Sequence, residues 1–489
     1  MIRTAPPSRL PGRRIFRAGG PPWRAAAALV LAAGCGSVEA ARGHDQVAAL
    51  VAERAGARTH WDAGPPPEAQ VAEWVRGLLA PGLTRESAIE IALVNNPGLN
   101  ETYERLGVSQ ADMVQAGLLR NPSLGIDLGF GHSPVSEIRV SLVQDFLDLF
   151  VLGHRKDMAR AQFTVDTLRV AHEALETVAE VSKAVVEVQV GAALVDWRAQ
   201  ALETLADDAA LTARRYDAVT ATELENAEQS ATYEEARLAL DHDRLELIEK
   251  RERLNRWLGL SGPATAWTLL ETLSEPPLDE PVTSDLEALA LKQRLDIAAS
   301  AQQTAMMQKA VGLARSTRFV GRLDIGVDGH QDPDGPRVFG PNLTIELPLF
   351  DQRQATIARL EAEHREAERR LDRLIVGARS EVRVAAARLA SARQVIAHYQ
   401  RTLLPLRRSI VELTLQHYNG MFVGARQLLA AKRAELDADR GYVDALGAYW
   451  SAHAELERAV GRRLDTAPAK PAAPQPVSSL SPVQRIAAP

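Results

Sequence analysis

The chain is poor in cysteine and in aromatic side chains, and both shortages narrow the range of possible structures. One cysteine, Cys35, occurs in 489 residues, so an intrachain disulfide and a cysteine-based zinc cluster are excluded. Aromatic residues make up 5% of the chain, whereas alanine, leucine, glutamate and arginine are abundant, which favours long helices over a mainly β fold. The formal net charge is −6, and we predict no nucleic-acid partner, since such a partner usually requires a basic face.

The sequence also lacks long apolar runs and recognisable catalytic motifs. No stretch of 18 or more apolar residues follows residue 35, so no transmembrane helix is predicted there, and a membrane crossing by the mature chain would have to use β-strands. A phosphate-binding loop, an HExxH motif and a GxSxG nucleophile elbow are all absent. We therefore expect neither an enzyme nor a bound cofactor or metal.

Residues 1–35 have the features of a secretory signal peptide. Arginines at positions 13, 14, 17 and 24 precede an apolar run from Ala25 to Ala33, and small residues lie just before Cys35, which is the order of a signal peptide and its cleavage site. A small residue followed by cysteine resembles a bacterial lipobox, which predicts that Cys35 is lipidated after processing. A plain signal peptide with an incidental cysteine is the alternative.

The next part of the chain changes from irregular to helical sequence. Residues 36–82 contain the block Gly64–Pro67, and we predict an irregular N-terminal arm there. Thr84 is placed to cap a helix that reaches about Leu119. Pro97 predicts a bend in this helix, because proline removes a helical hydrogen bond.

A hairpin and a very long helix follow. The runs Ser123–Phe130 and Glu137–Val143 are separated by glycine, serine and proline, which is typical of a β-hairpin. From Phe150 to Arg215 the chain has no proline and repeats apolar residues every seven positions, as coiled-coil helices do. At ~1.5 Å per residue this helix would span roughly 100 Å, so other long helices must lie beside it. A turn over 216–222 then leads into a helix from Glu223 to about Leu258.

The same order of elements returns after a proline-rich linker at 261–284. The predicted elements, in chain order, are a helix over 285–314, a strand over 322–327, a loop over 329–336, a strand over 343–347, a long helix from Phe350 to His417 interrupted by a bend at Pro405, a turn over 418–424 and a last helix to Val460. The tail at 462–489 is rich in proline and alanine, and we predict that it is disordered.

The spacing of matching residues indicates a duplication. Tyr216 and Tyr418 are 202 residues apart, and so are Gly259 and Gly461. The turn and the helix after it therefore have the same length in both copies, which is strong evidence for an internal repeat. We place the repeats at 83–260 and 285–461.

Two hairpins per chain require several copies if the hairpins enter a membrane. Four strands are fewer than the about eight that the smallest membrane barrels have. An open sheet edge cannot face lipid, because its backbone polar groups would be unpaired. Three copies would supply twelve strands, so the strand count points to a trimer.

On these residues the chain resembles the TolC-type outer-membrane factor family over about 83–461. The similar segments are Ala88–Pro97 in the first helix, Leu347–Arg353 where a strand passes into a long helix, and Tyr418–Gly424 in the second turn. The resemblance implies a mainly α fold with a β-hairpin per repeat: a homotrimer with an α-helical barrel and a 12-stranded transmembrane β-barrel.

The same resemblance implies a function and a location. The chain would be an outer-membrane channel subunit of a tripartite efflux or type I export system. It would form a passive duct through the periplasm of a Gram-negative-type bacterium, in contact with outer-membrane lipid. Its partners would be a periplasmic adaptor and an inner-membrane pump.

The resemblance also implies that two turns at the periplasmic tip, 216–225 and 418–427, gate the duct and contact the adaptor. The implied residues are Tyr216, Asp217, Glu225, Tyr418, Asn419, Gly420, Gly424 and Gln427. The chain departs from the family pattern at Val219 in place of a glycine, at Val423 in place of an arginine and at Gln427 in place of an aspartate. These departures argue against the ionic latch of the type member.

Other interpretations stay open at this point. The alternative function is a lipid-anchored periplasmic coiled-coil scaffold or adaptor without a pore, whose hairpins would be soluble. Glu223, Glu225 and Glu228 could line a negative tunnel mouth or form a solvated helix face. Met421 could touch a soft metal ion or simply pack, and the group His330, Asp332 and Asp334 could chelate an ion or serve a turn.

Overall fold

The computed structural model describes residues 42–57, 68–130, 137–145, 147–277, 285–319, 321, 323–331 and 335–464. Cys35, the rest of the predicted signal peptide, Asp332, Asp334 and the predicted tail beyond Leu464 lie outside the described residues. The described part contains eleven α-helices and four β-strands.

Both halves of the chain contain the same series of elements. The first half comprises helices α1 Arg42–Ala55, α2 Glu68–Leu79, α3 Arg85–Asn95 and α4 Pro97–Ala116, strands β1 Ser123–Gly129 and β2 Glu137–Asp145, and helices α5 Leu147–Asp217 and α6 Glu223–Leu258. The second half comprises helices α7 Leu286–Gln293 and α8 Leu295–Ser316, strands β3 Leu323–Gln331 and β4 Val338–Ile345, and helices α9 Gln354–His398, α10 Leu404–Asn419 and α11 Ala425–Val460. The predicted fold class, mainly α with one hairpin per repeat, is confirmed.

Helices α1 and α2 replace the irregular arm that the sequence predicted for 36–82. Val47 and Val51 of α1 and Val75 of α2 are buried in the same apolar core as Leu83. The prediction was wrong because it gave weight to the proline block and overlooked the helical spacing of the valines in α1. Prolines between two helices separate them without preventing either one.

The predicted bend at Pro97 is a break between two helices, and the second repeat contains the same break. Asn96 ends α3 with φ −68° and ψ 119°, and Arg294 ends α7 with φ −67° and ψ 123°. Pro97 then occupies the first position of α4, where its missing N–H costs no hydrogen bond. The duplication therefore extends to backbone geometry.

Each break is fastened to the end of the last helix of its own repeat. Asn96 Nδ2 donates to the carbonyl of Trp257 at 2.7 Å, and Arg294 Nη1 donates to the carbonyl of Ala459 at 3.4 Å. Gly259 then closes α6 with φ +66°, and a Cβ on it would lie 2.2 Å from the carbonyl oxygen of Asn95. Only glycine fits this left-handed, crowded position.

The four strands form one antiparallel sheet in the order β1-β2-β3-β4, and β2 pairs with β3 to join the two hairpins. The predicted loop at 329–336 was partly wrong, because β3 extends to Gln331 and β4 already begins at Val338. Gly329 marks a close contact rather than a turn. The ring of Phe339 on β4 occupies the space that a Cβ at Gly329 would need, at 2.5 Å.

The long helices differ between the repeats. Helix α5 runs unbroken for 71 residues, which is roughly 105 Å at ~1.5 Å per residue. Its counterpart is divided by a π-helical turn, Tyr399–Leu403, in which the N–H of Leu404 donates to the carbonyl of Tyr399. This wider turn ends two residues before Pro405, so the predicted interruption takes the form of a π turn that accommodates the proline ring.

Two apolar cores and a set of ion pairs hold the repeats together. One core surrounds α1, α3, α4 and the middle of α5, and the other joins α7, α9 and α11. Between them, Arg458 of α11 lies 3.3 Å from Glu176 of α5, and Arg85 of α3 lies 2.9 Å from Glu457 of α11. Within the described residues, no helix combines the length and the apolar character that a membrane span needs.

Candidate functional site

The sequence-predicted tip residues lie in two neighbouring turns. The first turn joins α5 to α6, and the second joins α10 to α11. Arg426 Nη2 donates to Glu228 Oε2 at 2.7 Å, which connects the beginning of α11 to the second turn of α6. The structure therefore brings the two halves of the predicted tip together within one chain.

Both turns close their helix with the same hydrogen bonds. In the first turn, Thr220 N donates to Arg215 O at 2.8 Å and Val219 N donates to Tyr216 O at 2.9 Å. In the second, Phe422 N donates to His417 O and Met421 N donates to Tyr418 O, both at 2.9 Å. This pair of bonds defines a Schellman motif. Tyr216 and Tyr418 thus supply equivalent backbone acceptors in the two turns.

The left-handed position of each motif is occupied by a residue with a side chain. Val219 has φ 58° and Met421 has φ 61°. Glycine is the usual residue here, and an L-residue with a Cβ costs about 1–2 kcal/mol, with a β-branched residue least suited of all. Gly420, which was one of the predicted tip residues, has φ −82°. It therefore does not adopt the left-handed conformation that favours glycine.

The two turns differ at the start of the following helix. Thr222 and Glu225 form a capping box, in which Glu225 N donates to Thr222 Oγ1 and Thr222 N donates to Glu225 Oε2, each at 3.1 Å. In the second turn Gly424 has no side chain to cap α11, and Gln427 N bonds to the carbonyl of Gly424 at 3.1 Å. Glu225 therefore has a local role in holding the start of α6.

Three of the exposed side chains at the tip are apolar. Val219 is 91% exposed, Met421 94% and Phe422 82%. Sequence analysis identified Val219 only as a missing glycine and did not select Phe422. Exposed apolar side chains grouped at a strained turn are typical of a protein contact.

One cluster of potential metal ligands occurs in the described residues, on α6 away from the tip. His242, Asp243 and Glu246 have donor atoms within 4.8 Å of one another. Asp243 is already bound to Arg198, and Glu246 lies 2.9 Å from Lys250. Since both carboxylates have cationic partners, we assign no metal to this cluster.

The sheet has one apolar and one polar face. Residues directly opposite each other in antiparallel strands share a face, and the apolar face contains the registered pairs Leu124–Leu142, Ile126–Val140, Leu142–Val327 and Ile325–Leu343. The polar face contains Asp127, Arg139 and His330 in one row and Ser141 beside Asp328 in the next.

The apolar face of the sheet is largely exposed, whereas the polar face is exposed at Asp127 and Arg139 and more covered along β3. Ile126 and Leu343 are each 61% exposed, whereas Asp324 on the polar face is 7% exposed. Strands that alternate apolar outward and polar inward are typical of outer-membrane sheets. An exposed apolar face favours a membrane channel over a soluble scaffold, whose sheet would expose polar side chains instead.

Solved structures with this fold come from several bacteria. The CmeC outer membrane channel of Campylobacter jejuni is 15% identical, covers 81% of this chain and 89% of its own, and has a TM-score of 0.67. The outer membrane protein VceC of Vibrio cholerae is 17% identical, covers 81% and 99%, and has a TM-score of 0.65. A membrane protein from Pseudomonas aeruginosa is 21% identical, covers 77% and 93%, and also has a TM-score of 0.65. No curated protein is significantly similar in sequence.

The sequence of the chain matches the family described as "Outer membrane efflux protein" over residues 88–260 and 286–462. The two matched segments correspond to the two halves that carry the hairpins and the long helices. The match confirms the prediction of an outer-membrane efflux channel subunit and disfavours the scaffold without a pore. The chain therefore belongs to the outer membrane efflux protein family.

Proposed function

We propose that three copies of this chain form a passive duct that crosses the outer membrane and extends through the periplasm. The observation that carries this proposal is the sheet with its exposed apolar face. In the described sheet β1 and β4 each have a single neighbouring strand, and open edges are not tolerated in lipid. Pairing β1 of one copy with β4 of the next would satisfy both edges and give a closed twelve-stranded sheet.

A pair of matched substitutions on β4 tests this arrangement. Leu343 belongs to the apolar face and its neighbour Thr344 to the polar face. An arginine facing the bilayer midplane costs about 2–4 kcal/mol per copy, so Leu343→Arg should prevent assembly in the outer membrane while Thr344→Arg should not. The measurements are trimer content after crosslinking of membrane fractions and conductance in planar bilayers. A soluble periplasmic monomer, or equal tolerance of both arginines, would contradict the proposal.

We also propose that the paired turns are the tip that contacts a periplasmic adaptor and closes the duct. The contributing residues are Tyr216, Asp217, Glu225, Tyr418, Asn419, Gly420, Gly424 and Gln427, with Val219, Met421 and Phe422 as the protruding apolar contacts. Exposed apolar groups on short, well-bonded turns suit a compact contact between helix ends. The energy for export comes from an inner-membrane pump.

A photo-reactive amino acid placed at Phe422 tests the tip contact. We expect it to crosslink to the adaptor when both proteins are present in cells. The control is the same amino acid at Arg369, which is 86% exposed on α9 and not part of either turn. Equal adaptor capture at both positions would show that the tip is not the specific contact.

We propose further that Cys35 is lipidated and anchors the mature N-terminus in the outer membrane. The support is the small residue and cysteine at the end of the signal sequence. Radiolabelled palmitate should enter the wild-type chain, and Cys35→Ser should lose the label. A labelled Cys35→Ser chain would reject this assignment.

A further inference from the structure

The helices that lead to the tip form a layer with two outer edges. Helix α6 packs along α5, α5 packs along α11, and α11 packs along α10. The order across the layer is therefore α6, α5, α11 and α10, and α10 continues α9 beyond the π turn. Helix α6 forms one edge of the layer, and α9 with α10 forms the other.

The outward side of α6 carries an apolar stripe. Leu224, Ala231, Leu238 and Leu245 follow one another at seven-residue intervals, and all four are exposed. This spacing lines up side chains along one side of a helix, as in the seam of a coiled coil. Leu240 is buried instead, because two positions along a helix correspond to a rotation of roughly 200°.

The other edge has exposed apolar residues at matching levels. Val395 on α9 and Leu406 on α10 are both exposed. Measured along the helices from the tip turns at ~1.5 Å per residue, Leu238 and Leu406 lie roughly 25 Å away, and Leu245 and Val395 roughly 40 Å away. Large apolar side chains grouped on a surface indicate a contact with another molecule.

The two edges are also opposite in charge. From Glu223 to Glu252 on α6, ten residues are aspartate or glutamate and four are lysine or arginine. From Val382 to Val411 on α9 and α10, six residues are arginine and none is aspartate, glutamate or lysine. The α6 edge is therefore acidic and the α9–α10 edge basic.

Only part of this charge is compensated within the chain. Arg383, for example, lies 3.1 Å from Glu287 of α7. Within the described residues, four exposed side chains of the two edges form neither an ion pair nor a side-chain hydrogen bond: Glu235, Glu249, Arg388 and Arg401.

These uncompensated charges lie beside the apolar residues. Glu235 is three residues before Leu238, and Glu249 is four residues after Leu245. Residues three or four apart are neighbours on a helix surface, so both carboxylates flank the α6 stripe. Arg401 lies in the π turn between Val395 and Leu406, so the second edge also combines apolar contact area with a free positive charge.

We propose that α6 of one copy packs against α9 and α10 of the next copy, with the apolar stripes in contact and opposite charges beside them. This contact rests on the proposed three-copy duct and assigns its helical interface. It joins the first repeat of one copy to the second repeat of its neighbour, as the proposed pairing of β1 with β4 does. Contacts between two α6 edges or between two α9–α10 edges are disfavoured, because like charges would meet.

A pair of cysteines tests the contact directly. Leu238→Cys and Leu406→Cys in one chain should form disulfides between copies when outer-membrane fractions are mildly oxidised. Denaturing electrophoresis without reductant should then show covalent dimers and trimers, which reductant removes. Either substitution alone should give neither species, because each contact uses one edge of each kind.

The matched control moves one cysteine to the next position of α6. Arg237 is also exposed and lies about 100° around the helix from Leu238. Arg237→Cys with Leu406→Cys should form disulfide at least about fivefold more slowly, because the bond requires Cβ atoms within about 4.5 Å.

A long amine-reactive crosslinker applied to the same fractions measures the trimer separately. Abundant trimer with equal disulfide rates for the two cysteine pairs would overturn the helical contact and leave the duct standing. No trimer in the wild type would overturn the duct and the contact with it. A photo-reactive amino acid at Leu238 that captures the adaptor rather than a second copy would also overturn the contact.

Charge reversal tests the electrostatic part of the contact. Arg388→Glu with Arg401→Glu should slow the disulfide between Leu238→Cys and Leu406→Cys by about fivefold or more, because like charges then face each other. Adding Glu235→Arg and Glu249→Arg to the same chain should restore the rate, which a general folding defect would not allow. An unchanged rate after the first reversal, or no recovery after the second, would contradict the charge pairing.

Discussion

At the scale of single residues, the most informative positions are the two left-handed residues of the tip. Val219 and Met421 occupy equivalent places 202 residues apart, and both hold a conformation that glycine would adopt without cost. The two copies of the turn hold different apolar residues at this strained position, which argues for a requirement on the side chain. An apolar contact surface at the tip is the requirement that fits their exposure.

Val219→Gly should stabilise the chain and weaken its contact with the adaptor. Relief of the left-handed strain should exceed the entropy cost of glycine and leave a net gain of about 0.5–1 kcal/mol. Urea unfolding measures the stability, and crosslinking from position 422 measures the contact. The control Ala218→Gly, at a neighbour without a positive φ, should destabilise instead. A loss of stability in both variants would contradict the strain argument.

His453 is the buried residue whose protonation should matter for folding. It is 2% exposed on α11, and its Nδ1 lies 3.7 Å from Glu457 Oε2. Burial lowers the pKa of its imidazole, with Arg85 and Arg463 lowering it further and Glu457 opposing them. The ring is therefore neutral in the folded chain at neutral pH.

The sign of the pH dependence follows from that lowered pKa. As the pH falls below about 6.5, the unfolded chain binds the proton first, so stability is lost with a slope of at most about 1.4 kcal/mol per pH unit from this one group. Unfolding midpoints between pH 7.5 and 5 should fall less steeply for His453→Gln than for the wild type. Parallel pH profiles for the two proteins would exclude His453 as the source.

At the scale of elements, the π turn at Tyr399–Leu403 distinguishes the second long helix from the first. The Tyr399 side chain packs directly over Gly441 of α11, where an added Cβ would lie 2.3 Å from the phenolic oxygen. Gln400 Nε2 also donates to Tyr442 Oη at 2.8 Å. The interruption is thus held in place by the neighbouring helix rather than left loose.

Gly441→Ala should destabilise the protein because the methyl group meets the Tyr399 ring. Overpacking of this kind costs about 1–3 kcal/mol. Gly377→Ala on α9 is the matched control, since nothing lies within 4 Å of its added Cβ and alanine is the better helix former by about 1 kcal/mol. Thermal unfolding should therefore shift in opposite directions for the two variants, and a shift in the same direction would contradict the packing.

At the scale of the whole molecule, ion pairs between the repeats make the two halves one unit. Arg458 of α11 contacts Glu176 of α5 across the repeats and Glu455 within its own helix, at 2.6 Å. Burial alone would lower the pKa of the Arg458 guanidinium, but Glu455 and Glu176 together outweigh it and hold that pKa above its usual range. The arginine is largely shielded from water and bridges both halves.

Arg458→Gln should cost about 1–3 kcal/mol of folding stability, because it leaves partly buried carboxylates without their cation. Arg440→Gln on the same helix is the control. Its pair with Asp444 is exposed and 3.9 Å long, and such pairs contribute about 0–1 kcal/mol. Urea unfolding of both variants measures the difference, and equal costs would show that the contact between the repeats carries no special weight.

Helices and turns were predicted well where residue composition and spacing along the chain were sufficient to define them. The long helix α5 was predicted within a few residues of both ends, since proline and glycine are rare there and the apolar period is regular. The same holds for the turns, whose 202-residue spacing is independent of tertiary contacts. The predictions were wrong for α1 and α2, which form because their valines are buried in the core although a proline block lies between them. The prediction was also wrong at Gly329, where glycine allows close packing of Phe339 and does not mark a turn.

By itself the sequence determined the duplication, the helix lengths and the alternation of the strands, because each of these is a period or a spacing along one chain. Only the tertiary structure decided which residues the tip exposes, because Val219 and Met421 stand out through a positive φ that no spacing reveals. It alone brought charged residues of distant segments together, such as Arg458 and Glu176, because those segments meet only when the two repeats pack together.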